Sequence, residues 1–148
     1  MNMRARIKIM LIATLAAAGC AGPGELRSAD YAASPGERMA LARSMHFPTA
    51  SHRAERKEWK ALAGNATWIS QNPEAVIILE GHCDERGSEE YNVELGDRRA
   101  RWVMGELMAR GVDVARLIVL SKGEDEPVDS DHTIKAWRVN RRVEFIPR

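Results

Sequence analysis

Three side chains of complementary chemistry stand close together in one stretch of the chain: the carboxylate of Asp84, the carboxamide of Asn92 and the guanidinium of Arg99. Asn92, Leu95 and Arg99 are separated by three and four residues, the interval that lines side chains along one stripe of a helix. Asp84 precedes that stripe, just after an apolar run that reads as a strand. A groove holding an acid, an amide and a guanidinium suits a zwitterion. The acid accepts from an ammonium, and the rigid fork of an arginine takes a carboxylate. The same spacing also allows Asp84 and Arg99 to pair with each other and do no more than fix a loop.

Other reactive residue types form no catalytic pattern. His82 and Cys83 are neighbours, and neighbours on a strand point to opposite faces, so they make no thiol dyad if the strand runs that far. Cys83 is expected to be buried and inert. His46, His52, His82 and His132 show no zinc-ligand spacing, so neither a metal nor a cofactor is expected. Gly81, Gly87 and Gly96 match no phosphate loop and are read as turn and helix-packing positions. Trp59, Trp68, Trp102 and Trp137 are expected to fill core positions on helices rather than form a sugar-stacking platform.

The elements that must position these groups follow from the apolar pattern. A first strand is predicted within residues 39–47, stopped by Pro48. A helix is predicted over 54–70, where Trp59, Leu62, Ala63, Ala66 and Ile69 recur at three and four residues before Asn72 and Pro73 end it. Residues 75–79 form a continuous β-branched run, as a strand buried on both faces requires. A second helix is predicted over 89–110. Ser88 is placed to cap it, Glu89 and Glu90 lie at the positive end of its dipole, and Gly111 follows as a left-handed stop. Strands over 117–120 and 143–146, with a short helix over 131–139 between them, complete a βαβαββ order. The economical arrangement is a two-layer α+β domain with a mixed four-stranded sheet and both long helices on one face.

The N-terminus reads as a targeting segment. Arg4, Arg6 and Lys8 provide positive charge, residues 7–18 are almost wholly apolar, and Ala17, Ala18 and Gly19 precede Cys20. The apolar run is short of the roughly 20 residues of a membrane span. Residues 1–19 are expected to be a signal peptide, residues 20–38 a flexible tether reaching about 25 Å, and residues 39–148 the folded domain. After removal of 1–19 the chain holds nineteen basic and twenty-one acidic residues, a balance of −2. That balance gives no field to attract a polyanion, and nucleic acid is excluded as a partner. With Cys20 modified, Cys83 is left without a disulfide partner. Neither barrel-length alternating strands nor a second apolar span is present, which disfavours a porin or a motor stator.

The run Glu80-Gly81-His82-Cys83-Asp84-Glu85-Arg86-Gly87, followed by Glu90-Tyr91-Asn92 and by Leu95-Gly96-Asp97-Arg98-Arg99-Ala100, resembles the signature of the OmpA-like peptidoglycan-binding domain. Within it, the peptidoglycan-associated lipoprotein branch is the nearest likeness. Gly123-Glu124, Pro127, Trp137 and Asn140-Arg141-Arg142-Val143-Glu144-Phe145 resemble the closing motifs of the same family. Leu15 through Cys20 resembles a lipobox, with Ala17 standing where leucine is usual.

The resemblance implies a non-catalytic outer-membrane lipoprotein, acylated at Cys20 and facing the periplasm. Its implied ligand is the free amino-acid end of diaminopimelate in the peptidoglycan stem peptide. Asp84 and Arg99 would be the central pair, Asn92 and backbone near Leu95 would add hydrogen bonds, and Arg141 would lie at the rim. A second implied partner is the periplasmic Tol β-propeller protein of the Tol-Pal envelope system, which serves cell division. The alternatives are an OmpA-like lipoprotein outside that system, or a wall-modifying enzyme, for which no base, nucleophile or metal set is evident. The family's first strand usually ends on an acid near the ligand, and residues 46–50 here offer none.

Overall fold

The computed structural model describes residues 41–148. The expected signal peptide, the tether and the first residues of the folded segment lie outside the described residues. In chain order the elements are β1 (Ser44–His46), a 3-10 turn at Arg56–Glu58, α1 (Trp59–Gln71), β2 (Ile77–His82), α2 (Glu89–Met108), a 3-10 turn at Val114–Arg116, β3 (Leu117–Gly123), α3 (Ile134–Asn140) and β4 (Arg142–Pro147). The four strands form one sheet in the order β1-β4-β2-β3, with β2 and β3 parallel and the other two pairings antiparallel. The mixed sheet and the two long helices agree with the fold read from the sequence.

Alternation along the strands divides the sheet into two faces. Met45, Ile77, Leu79, Leu117, Val143 and Phe145 point into one core with Leu62, Ala66 and Ile69 of α1 and Ala100, Val103 and Leu107 of α2. Both long helices therefore cover the same side. Ser88 caps α2, its hydroxyl accepting from the Tyr91 amide at 3.2 Å, and Gly111 adopts a φ of +89° just beyond its end. β2 runs three residues further than expected, through Glu80 and Gly81 to His82, because the parallel ladder with β3 continues to Gly123.

Two expectations about α1 and the tryptophans are corrected. Trp59 is 46% exposed and Ala63 also faces solvent, whereas Asn65 and Trp68 are buried. The inward stripe is rotated because Asn65 is needed inside: its carboxamide accepts from the Ala42 amide at 2.7 Å and donates to the Ala42 carbonyl at 3.0 Å, pinning the chain ahead of β1. Of the other tryptophans, Trp102 packs partly buried on the core, while Trp137 lies over a surface arginine.

Glycines set how closely α2 approaches β2. A Cβ on Gly81 would stand 2.0 Å from the Gly96 carbonyl oxygen, and one on Gly96 would stand 2.3 Å from Ser121 Oγ. Gly81→Ala must push α2 off the sheet, and overpacking of this kind costs about 1–3 kcal/mol or more. Urea unfolding of that variant should show a loss in this range; wild-type stability would contradict the close approach.

Candidate ligand-binding site

The loop after β2 and the first three turns of α2 enclose a cavity of about 160 Å³ lined by residues that include Asp84, Arg86, Asn92, Leu95, Arg99 and Arg141. All five residues singled out from the sequence as ligand contacts border this one space. Thr49 and Ala50, from the loop after β1, complete its wall. The volume is small against the roughly 300–1,000 Å³ of pockets that enclose a whole small molecule. It fits the end of a larger ligand.

Arg99 lies at the bottom with no exposure to solvent. Its Nε donates to the Ser51 carbonyl at 2.8 Å, Nη1 to the His82 carbonyl at 2.8 Å and to Cys83 Sγ at 3.3 Å, and Nη2 to the Pro48 carbonyl at 3.2 Å. The guanidinium has five N–H groups, so one on Nη2 is left over. No carboxylate lies in ion-pair contact with it among the described residues. Burial pulls its pKa below the usual arginine value. A buried charge without a counter-ion is expensive.

Asp84 is not the partner of Arg99. Its Oδ1 accepts from Arg86 Nε at 3.0 Å and from the Arg86 amide at 3.2 Å; its Oδ2 accepts from Arg86 Nη2 at 2.8 Å and Arg141 Nη1 at 3.0 Å. Direct pairing of Asp84 with Arg99, one of the two readings the spacing left open, is therefore corrected. The four bonds fill the acceptor sites of a carboxylate. Burial alone raises the Asp84 pKa, but the hydrogen bonds from Arg86 and Arg141 outweigh it and hold the group below the usual aspartate range. Arg141 is deeper than a rim position: it is nearly buried and also donates to the Phe47 carbonyl at 3.0 Å.

Asn92 is turned onto its own loop. Its Nδ2 donates to the carbonyls of Asp84 at 3.2 Å and Arg86 at 3.3 Å and to a carboxylate oxygen of Glu124, so it braces the loop that presents Asp84. Leu95 is buried in the second turn of α2, where amides are bonded within the helix, so what it offers the cavity is an apolar wall. Cys83 and His82 diverge as expected. The Cys83 thiol donates to the Asn92 carbonyl at 3.2 Å, and burial pushes its pKa up to about 11; His82 points to the other face of the sheet.

The sequence assigns no role to Arg86, Ala50 or Glu124, although Arg86 and Glu124 fall within the family motifs. Arg86 stands two residues from Asp84 in a loop, where no periodicity fixes direction. Its guanidinium carbon also sits 4.2 Å from the centre of the Trp137 ring, and Trp137 Nε1 donates to Glu85 at 2.8 Å. Ala50 has a φ of +53°, the one positive φ outside glycine among the described residues. That strained turn lies between the Pro48 and Ser51 carbonyls that Arg99 gathers. Arg86, Arg99 and Arg141 outnumber Asp84 among the charged groups of the lining, which leaves a surplus of positive charge for an anionic group.

Fold and sequence pattern together define the class. The OmpA family pattern matches residues 47–141. Peptidoglycan-associated lipoprotein of Mesorhizobium japonicum is 35% identical over 148 residues, spanning 93% of this chain and 88% of the relative. The protein of that name from Pseudomonas aeruginosa is 48% identical over 69 residues, 47% of this chain and 41% of its own length. The crystal structure of the peptidoglycan-associated lipoprotein from Burkholderia pseudomallei superposes with a TM-score of 0.70 at 32% identity, covering 72% of this chain and 91% of that one. The C-terminal domain of Helicobacter pylori MotB shares the fold, with a TM-score of 0.66 at 24% identity over 72% of this chain and 84% of that one. The chain belongs to the OmpA family, among its peptidoglycan-associated lipoproteins.

The depressed pKa of Asp84 makes the site sensitive to acid. A carboxyl held below its unfolded value stabilises the fold above that value, and the contribution is lost as pH falls through the folded pKa. Stability measured by denaturant between pH 7 and pH 2 should therefore fall less steeply on the acid side in Asp84→Asn than in the wild type; superimposable slopes would mean the arginine bonds do not form.

Proposed function

We propose that this protein binds peptidoglycan without catalysis, holding the free amino-acid end of a diaminopimelate stem peptide in the cavity between Asp84 and Arg99. The single observation that carries this reading is the buried Arg99 cation with no carboxylate partner among the described residues, in a cavity with surplus positive charge. A ligand carboxylate would supply the missing counter-ion at the leftover Nη2 of Arg99, with Arg141 beside it. The ammonium of the same group would take Asp84 by exchange with Arg86, the more exposed of the two arginines that hold that carboxylate. Asn92 keeps the loop in place, and Leu95 packs against the methylene chain.

Each charge-assisted bond contributes about 1.5–3 kcal/mol net. One cavity of this size therefore gives modest affinity, and firm attachment comes from many anchored copies meeting a repeating polymer. The proposed anchor is the acylated Cys20 left after removal of residues 1–19, with residues 20–38 as tether and each buried methylene of the acyl chains worth about 0.8 kcal/mol. On this reading the protein joins the outer membrane to the wall from the periplasmic side. The family likeness further supports a place in the Tol-Pal system, with its β-propeller protein as second partner. An OmpA-like lipoprotein working outside that system is the alternative, and co-purification with the propeller protein separates the two. The absence of catalysis is supported by the high pKa of the Cys83 thiol and by its separation from His82.

Sedimentation with purified sacculi tests the cavity. Asp84→Asn and Arg99→Lys should each weaken binding roughly ten- to a hundred-fold, the equivalent of one lost charge-assisted bond, with circular dichroism unchanged. Arg99→Ala also strips partners from three backbone carbonyls, so it should unfold at lower denaturant and is the poorer probe. Wild-type binding by both Asp84→Asn and Arg99→Lys removes the proposal. Mass spectrometry of the mature N-terminus tests the anchor, and an unmodified Cys20 would contradict it.

A further inference from the structure

The face of the sheet turned away from the helices carries polar groups that the ligand cavity does not use. Glu80 and Glu144 are direct cross-strand partners in the β2/β4 ladder, a placement that sets like charges opposite each other and is unfavourable by itself. His82 lies two residues beyond Glu80 and points to the same side. A carboxylate oxygen of each glutamate and a ring nitrogen of His82 lie within 4.8 Å of one another. His82 is 1% exposed, and neither of its ring nitrogens has a hydrogen-bond partner. Its Nε2 is 3.2 Å from Glu80 Oε1 but out of line for a hydrogen bond. A buried imidazole with two idle nitrogens thus faces two carboxylates.

We propose that Glu80, His82 and Glu144 form a binding site for one divalent transition-metal ion, zinc being the best match to an imidazole with two carboxylates. Histidine spacing along the chain does not point to such a site, because the three side chains come from two strands paired in space. Donors bonded to zinc at about 2.1 Å stand roughly 3.4 Å apart in a tetrahedron, so the three groups must close in slightly. Glu144, whose side chain is one-third exposed, supplies that movement and the route of entry. Arg142 Nε donates to Glu144 Oε1 at 2.6 Å, orienting the carboxylate and leaving Oε2 for the ion.

The surrounding charges tolerate a cation. Glu80, Glu144 and Glu126 bring three carboxyl groups against the two cations Arg142 and Lys122, and Lys122 is already paired to Glu126 at 2.6 Å. The His82 carbonyl accepts from Arg99, so the ion would clamp β2 to β4 directly behind the ligand cavity.

Calorimetric titration of the full, chelator-stripped chain with zinc chloride tests the site. Wild type and His132→Ala should each bind one zinc ion, with a rise in Tm on loading. His82→Gln and Glu144→Gln should each lose at least ten-fold in affinity together with the Tm rise. Should His82→Gln fail to fold by circular dichroism, Glu144→Gln decides alone, since its side chain is the more exposed. No zinc binding by the wild type, or unchanged affinity in a folded Glu144→Gln chain, overturns the proposal.

Discussion

A guanidinium buried against backbone carbonyls is the constraint around which this domain is arranged. Arg99 reaches from the middle of α2 to the end of β2 and to the loop after β1, and its donors meet the carbonyls of Pro48, Ser51 and His82. Without those carbonyls the arginine would be a bare charge in the interior. That need is why the left-handed turn at Ala50 is tolerated. The arrangement depends on α2 lying almost against β2, and the Gly81 and Gly96 pair permits that distance.

Around this anchor the charges are divided unequally. Asp84 is fully coordinated by Arg86 and Arg141, while Arg99 has only neutral partners. The site is thus an acid already satisfied by a movable arginine, above a fixed cation that is not satisfied by charge. Such a site favours a ligand with both signs at one end. Its rigid half lies on a helix and a sheet, its adjustable half on the loop carrying Arg86, which Trp137 and Glu85 support from the side. The pre-set geometry of the rigid half reduces what ligand binding must order.

The order of elements and the core strands were legible because strand alternation and helical spacing report one-dimensional burial. The motif around Gly81 to Arg99 was legible as a family likeness, and the five residues it singled out do border one cavity. Less was legible on α1: apolarity placed Trp59 and Ala63 inward, but the backbone at Ala42 needed the Asn65 carboxamide, and that turned the helix. The partner of Asp84 was not legible either. Loop residues such as Arg86 have no period, and Arg141 arrives from a segment fifty-seven residues away.

By itself the amino-acid sequence determined which segments would be buried, where α2 starts and stops, and which acid and arginine share one end of the sheet, since capping, periodicity and residue type are local properties. Only the tertiary structure decided that Arg99 is neutralised by no carboxylate of the described chain, that Asp84 belongs to Arg86 and Arg141, and that His82 faces two glutamates across the far side of the sheet. Those outcomes follow from strand register and from how near a helix can approach, and both are set by contacts between residues far apart in the chain.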